Sequence, residues 1–198
     1  MTLKLALTGS IGMGKSTVAA MLVAAGVAQF DADAEVRRLQ SCGGPLVEAI
    51  GARWPGTVVG GAVDRDLLAA RVLADRDELA ALEVIVHPAV MAEREAFLER
   101  HRGAPALLFD IPLLFETGGE AVFDKVIVVS APPDVQRERV MARPGMTRDK
   151  FDLITDRQLP DAIKRERADF VVETGGSLED TEVQVGRILA CLGLATGG

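Results

Sequence analysis

The run Gly9-Ser10-Ile11-Gly12-Met13-Gly14-Lys15-Ser16 places two glycines, a lysine and a hydroxyl at the spacing G-x-x-x-x-G-K-[ST]. Glycines let a backbone curl until successive N–H groups point inward at phosphate oxygens. A helix that starts where such a loop ends adds partial positive charge at the same spot. Lys15 supplies a mobile full charge for the outer phosphates of a nucleoside triphosphate, and the Ser16 hydroxyl is placed to hold Mg²⁺. Gly9, Ile11, Gly12, Met13, Gly14, Lys15, Ser16 and Thr17 are therefore the candidate ATP contacts.

Other residues could act on the transferred group. Asp110 closes an apolar Leu-Leu-Phe run, where it could hold a water on Mg²⁺ or be only a strand-end turn residue. Arg139 and Arg143 are four apart and are expected on one helix face. Arg143 is the preferred transition-state cation, because a guanidinium clamps phosphate oxygens in two places; the alternative is a solvated helix-end arginine. A GTPase would carry Asn-Lys-x-Asp and Asp-x-x-Gly, and neither occurs, nor does Leu-Ser-Gly-Gly-Gln. What remains is a kinase of a small acceptor, with an idle nucleotide-binding module as the rival from another class.

These groups need a frame. Leu3 to Thr8 reads as a buried strand, followed by the glycine loop and a helix from Lys15 to about Ala25, with Gly26 as its C-cap. Val27 to Phe30 reads as a second strand, with a helix from Asp31-Ala32-Asp33 through Arg38. This βαβ order predicts that the first two strands are parallel, with Asp31 and Asp33 brought beside the phosphate loop. Residues 34–102 read as a helical insertion. Within it Gly51 to Ala62 is an irregular loop holding Trp54, helices cover Asp64–Ala74 and Asp75–Val86, and a further helix opens at Pro88 and runs to His101. Strands resume at Ala106–Asp110 and Val126–Val129. Pro132-Pro133 opens a helix to Arg143, and Pro144–Arg167 is a mobile charged excursion. Asp169–Val172 is the last strand, and Ser177–Asp180 resembles a capping box before a helix that presents Val185, Ile188, Leu189 and Leu192 on one face. Thr196-Gly197-Gly198 is expected to fray.

The chain has 198 residues, 48% of them hydrophobic, which suits one α/β domain with insertions and needs no disulfide or metal staple. Cys42 and Cys191 stand alone, as thiols of a reducing cytoplasm would. The apolar run Met1–Leu7 is too short for a leader or a membrane span. The net charge of −7 argues against nucleic-acid or lipid partners. Locally, Arg137–Arg167 holds nine Lys/Arg against six Asp/Glu, which suits a small, highly charged anion or simply a solvated helical surface.

Several further segments resemble one family, dephospho-CoA kinase: Leu7-Thr8-Gly9 into the phosphate loop, Asp31-Ala32-Asp33, His87-Pro88, Pro112-Leu113-Leu114-Phe115-Glu116, Arg157-Gln158 and Ala168-Asp169-Phe170-Val171. The resemblance implies a P-loop NTPase fold, three-layer α/β/α with a parallel five-stranded sheet, a helical CoA-binding insertion and a lid. It divides the chain into a core of 1–33, 103–143 and 168–198, an insertion of 34–102 and a lid of 144–167. It implies Mg²⁺-dependent transfer from ATP to the ribose 3′-hydroxyl of dephospho-CoA, in the cytoplasm, by a monomer or weak homo-oligomer. Asp33 resembles the family's catalytic base, with a helix N-cap as the plain alternative; Asp31 is read as structural or as an outer partner of the metal. Arg37 resembles a substrate-binding arginine or is a surface residue, and His87 is substrate-side or a helix cap. Pro112 and Leu113 begin the segment expected to wall the acceptor site, and Lys164 matches a family lysine. One position departs: where the family commonly has Asn after the last strand, this chain has Thr174, expected to border the adenine. That leaves the preference for ATP over GTP open.

Overall fold

A computed structural model describes residues 2–194, and the expected fraying of Thr196–Gly198 lies outside them. The chain divides into two compact units, residues 1–30 with 101–198, and residues 31–100.

The first unit is built on a five-stranded sheet. Its strands are β1 (Leu3–Thr8), β2 (Ala28–Asp31), β5 (Ala106–Asp110), β6 (Lys125–Ser130) and β7 (Phe170–Glu173), in the order β2-β5-β1-β6-β7. β1 runs parallel to both β5 and β6, and β6 parallel to β7. Alternate side chains go to opposite faces. Leu5 and Leu7 of β1 and Ile127 and Val129 of β6 pack with Val18 and Leu22 of α1 (Lys15–Ala24) and with Val185, Ile188 and Leu189 of α9 (Leu178–Cys191). Ala6, Val126 and Val128 face the other way, against Leu114 and Phe115. Both faces are covered, which is why these strands read as unbroken apolar runs. At the end of α1, Gly26 N–H bonds Val23 O and Val27 N–H bonds Leu22 O, with Gly26 at φ 91°. This is the paired closure that an αL glycine permits. The Ser177/Asp180 capping box opens α9 as expected.

The strand order within the sheet is not sequential. β2 is not the neighbour of β1; β5 lies between them. The crossover through α1 skips one sheet position, and the strand that returns after the second unit fills it. The carboxylate placed beside the root of the phosphate loop is therefore Asp110, in register with Leu7.

After β6, α6 (Pro133–Met141) stops two residues short of Arg143, so Arg139 and Arg143 do not share a helix face. Residues 144–167 contain two short helices, α7 (Arg148–Thr155) and α8 (Asp161–Glu166).

The second unit holds α2 (Ala32–Leu39), α3 (Val47–Arg53), the β3/β4 hairpin (Val58–Val59, Ala62–Val63), α4 (Arg65–Val72) and α5 (Arg76–Arg100). Its core is Leu39, Leu46, Ile50, Trp54, Val63, Leu68 and Val72. The expected irregular loop at 51–62 is instead a helix end and a hairpin. Gly60 (φ 58°) and Gly61 (φ 80°) form its two-residue turn, with both central residues at positive φ as a type I′ turn requires. The two helices expected around Pro88 are one, with Pro88 inside α5. Ala81, Leu82, Ile85 and Val86 before it, and Ala89 and Val90 after it, pack on the same core. That shared burial holds the helix through a residue that removes a backbone donor. His87 is accordingly an exposed mid-helix residue and caps nothing. Asp31, not Asp33, is the N-cap of α2: its Oδ1 accepts the Ala34 N–H at 2.9 Å. Asp33 sits exposed in the first turn. The chain is already helical at Ala32, so the two carboxylates do not point alike as they would in extended backbone.

Candidate active site

The loop between β1 and α1 lines a cleft of about 550 Å³ within the first unit, together with Pro112, Arg139, Arg143, Gln158 and Thr174. Its shape depends on glycine at two close approaches. A Cβ on Gly9 would lie 2.6 Å from Val129 O. One on Gly12, itself at φ 79°, would meet Val140 Cγ2 at 2.5 Å and Gln136 O at 2.9 Å. The loop is thus pressed against β6 and α6, and no larger residue fits there without moving a strand or a helix. Lys15 and Ser16 are the first two residues of α1, where helical N–H groups have no carbonyl four residues back.

The structure brings Lys15 and Asp110 into an ion pair, with Asp110 8% exposed at the end of β5. Ser16 and Thr17 are exposed at the start of α1. No group of three or more His, Cys, Asp or Glu is gathered for a metal among the described residues. A Mg²⁺ here would rest on one hydroxyl, one carboxylate and the oxygens of a nucleotide. The donor set of Ser16 and Asp110 fits, because that hard cation takes few protein ligands beside phosphates.

Not every loop residue faces the cleft with its backbone. Ile11 N–H donates to Gln158 Oε1 at 3.1 Å, and Ile11 C=O accepts from Gln136 Nε2 at 2.8 Å. Met13 N–H donates to Ser10 O, and Met13 C=O accepts the Thr174 hydroxyl at 2.7 Å. Ile11 and Met13 therefore spend these backbone groups on the protein, while Gly14, Lys15 and Ser16 lead into the helix.

Thr174 is 5% exposed, and Arg139 grips it twice: Nη1 donates to its Oγ1 at 3.0 Å and Nη2 to its carbonyl at 2.6 Å. It borders the cleft, but its hydroxyl ties α6 and the end of β7 to the phosphate loop. Arg143 lies just beyond α6, exposed and lining the same cleft. Pro112 lines it as well; Leu113 is 42% exposed and does not.

Asp33, Arg37 and His87 belong to the second unit and are exposed there. Arg37 follows Asp33 by one helical turn on α2.

Three groups in this region escaped the sequence reading. Gln136 is uncharged and matches no motif; Gln158 belongs to the Arg157-Gln158 segment, but nothing local ties its uncharged side chain to the phosphate loop. Glu116 belongs to the quoted Pro-Leu-Leu-Phe-Glu segment but is no wall residue: it pairs with Lys164 and accepts the Leu159 N–H at 2.8 Å. Burial pushes its carboxyl up, yet the Lys164 ammonium and the Leu159 N–H outweigh that and hold it below the usual glutamate value.

The dephospho-CoA kinase family model matches residues 3–180. A dephospho-CoA kinase of Novosphingobium aromaticivorans is 56% identical over 186 residues, covering 94% of this chain and 92% of that one. Among solved structures, the Thermus thermophilus protein TT1252 aligns with a TM-score of 0.83 at 40% identity, covering 96% of this chain and 98% of that one. A dephospho-CoA kinase from Campylobacter jejuni aligns with a TM-score of 0.68 over 99% of both chains; at 22% identity it speaks for the fold alone.

Proposed function

Because the chain belongs to the dephospho-CoA kinase family, we propose that it transfers the γ-phosphoryl group of ATP to the ribose 3′-hydroxyl of dephospho-CoA, giving coenzyme A and ADP. The observation that carries this reading is the phosphate-loop cleft lined by Lys15 and Arg143, with Asp110 paired to Lys15, in a chain matched to the family over residues 3–180.

The first-turn N–H groups of α1 and the Lys15 ammonium hold the β- and γ-phosphates. Charge grows on the transferring oxygens in the transition state, so these contacts strengthen as the reaction proceeds. Arg143 reaches the same oxygens from beyond α6 and steadies the leaving charge. Asp33 takes or orients the proton of the attacking hydroxyl. Arg37, His87 and Pro112 bind the acceptor. Ser16 and Asp110 hold Mg²⁺, which when bound neutralises charge on the phosphates. Residues 144–167 serve as the lid over the nucleotide. The enzyme works in the cytoplasm as a monomer or weak homo-oligomer; no helix among the described residues is long and apolar enough to cross a membrane.

The test is a coupled assay with purified protein, ATP, Mg²⁺ and a panel of acceptors: dephospho-CoA, nucleoside monophosphates and sugar acids. Dephospho-CoA is expected to give the highest kcat/KM, and EDTA is expected to stop turnover. A higher kcat/KM for another acceptor would overturn the assignment.

A further inference from the structure

Both backbone polar groups of Ile11 are held by glutamine side chains that come from different parts of the chain. Gln136 comes from α6, is 9% exposed, and donates to the carbonyl at 2.8 Å. Gln158, which follows α7, is separated from Ile11 by 147 positions and accepts its N–H at 3.1 Å. Ile11 immediately precedes Gly12, the glycine wedged against Val140 and Gln136 O. The direction of the Ile11 peptides therefore sets the path of the chain into Met13, Gly14 and the start of α1.

Gln158 also sits on a boundary. It lines the phosphate-loop cleft on one side and, on the other, a smaller cavity of about 200 Å³ behind the loop. Downstream of it the chain is pinned to the sheet. Leu159 N–H and Lys164 both engage Glu116, Arg165 donates to Ser130 Oγ at 2.9 Å, and Arg167 pairs with Glu120. Upstream, residues 144–157 reach back to Arg143. Within that stretch Phe151 of α7 is buried, with the Arg137 guanidinium of α6 over its ring. Gln158 closes the stretch, and its side chain is spent on the phosphate loop.

We propose that Gln158 is a positioning residue for ATP: by accepting the Ile11 N–H it makes the nucleotide-binding shape of the loop depend on residues 144–158 being seated. This rests on the reading of the cleft as the ATP site. Gln158 touches no reacting atom; it acts through Ile11. Removing the acceptor leaves a part-buried N–H unpaired, a loss that falls on the loop's nucleotide-competent shape.

The test measures binding of a fluorescent ATP analogue and steady-state kinetics for wild type, Gln158→Met, Gln158→Asn, Gln136→Met and the Gln158→Met/Gln136→Met double variant. Met keeps the length without an acceptor; Asn keeps the polarity but is one methylene short of Ile11. Gln158→Met and Gln158→Asn are each expected to raise Kd and KM for ATP about tenfold, the size of one lost hydrogen bond to a buried partner. kcat at saturating ATP and KM for dephospho-CoA should stay within about twofold of wild type. The double variant is expected to lose less than the product of the single losses, since both glutamines hold one residue. Wild-type binding of ATP with unchanged binding by both Gln158 variants overturns the proposal alone. So does a pattern in which the variants only lower the melting temperature and leave KM for ATP untouched. A wild-type protein that binds no ATP overturns the activity reading, and this inference with it.

Discussion

Lys164 Nζ lies 2.8 Å from Glu116 Oε1, and the lysine side chain has no solvent-accessible surface. This pair, from α8 and from the loop after β5, fastens the end of the 144–167 segment to the face of the sheet lined by Leu114 and Phe115. Breaking one partner strands a charge in a largely buried site. Glu116→Gln or Lys164→Met alone is expected to cost about 3–5 kcal/mol, and the double replacement to recover a large part of it. Urea unfolding of the three variants checks this.

The same pair sets an acid limit. The Glu116 carboxyl is held below its ordinary value of 4.5, with burial opposing and Lys164 and the Leu159 N–H prevailing. A lowered carboxyl contributes stability that is fully present above its unfolded-state value and is lost as pH falls through the folded one. Below pH 4.5 the melting temperature of wild type is therefore expected to fall more steeply than that of Glu116→Gln. Parallel slopes in thermal melts across that range would remove Glu116 from the account.

Asp31 and Asp33 should separate cleanly. Asp31 caps α2 and Asp33 does not, so Asp31→Ala should cost about 0.5–2 kcal/mol. Asp33→Asn should change stability by less than about 1 kcal/mol, the reach of a first-turn charge on the helix dipole. If Asp33 handles the hydroxyl proton, its single-turnover rate falls by about 10²–10⁴-fold with ATP binding retained. A fast, folded Asp33→Asn enzyme would take Asp33 out of the mechanism.

Arg143 is exposed on the cleft, so its replacement should leave stability nearly unchanged. Arg143→Ala is expected to lower kcat by roughly ten- to a thousandfold, less than the strongest arginine fingers. Arg143→Lys should restore part of it, because an ammonium cannot make the forked contact. Equal kcat for all three proteins would return Arg143 to the solvated surface.

Thr174 donates its hydroxyl inward to Met13 and accepts from Arg139. Thr174→Val keeps the shape and removes both bonds. It is expected to cost about 1–3 kcal/mol and to raise KM for ATP, while the ratio of kcat/KM for ATP over GTP stays within twofold. A large swing in that ratio would mean that the hydroxyl reads the base after all.

Much of this molecule is written in local patterns. The phosphate loop, β1, the capped end of α1 and the boxed start of α9 each depend on residues within a few positions of one another. Their signals are backbone freedom at glycine, a side-chain cap, or apolar spacing, all of which a linear reading can follow. The Gly60-Gly61 turn was equally local and was missed only because its flanking strands are two residues long.

The rest needed the folded chain. Pro88 and Asp33 show how tertiary context overrides local preference: burial on both sides of Pro88 keeps α5 whole, and a helix that begins two residues earlier than an Asp33 cap would allow hands the cap to Asp31. By itself the sequence determined what chemistry the chain carries, because a phosphate loop is one continuous stretch. Only the tertiary structure decided that β5 lies between β1 and β2, that Asp110 meets Lys15, and that Gln158 meets Ile11. Those contacts join residues 95 and 147 positions apart. They form because packing both faces of one sheet brings such groups together, and no local spacing encodes that.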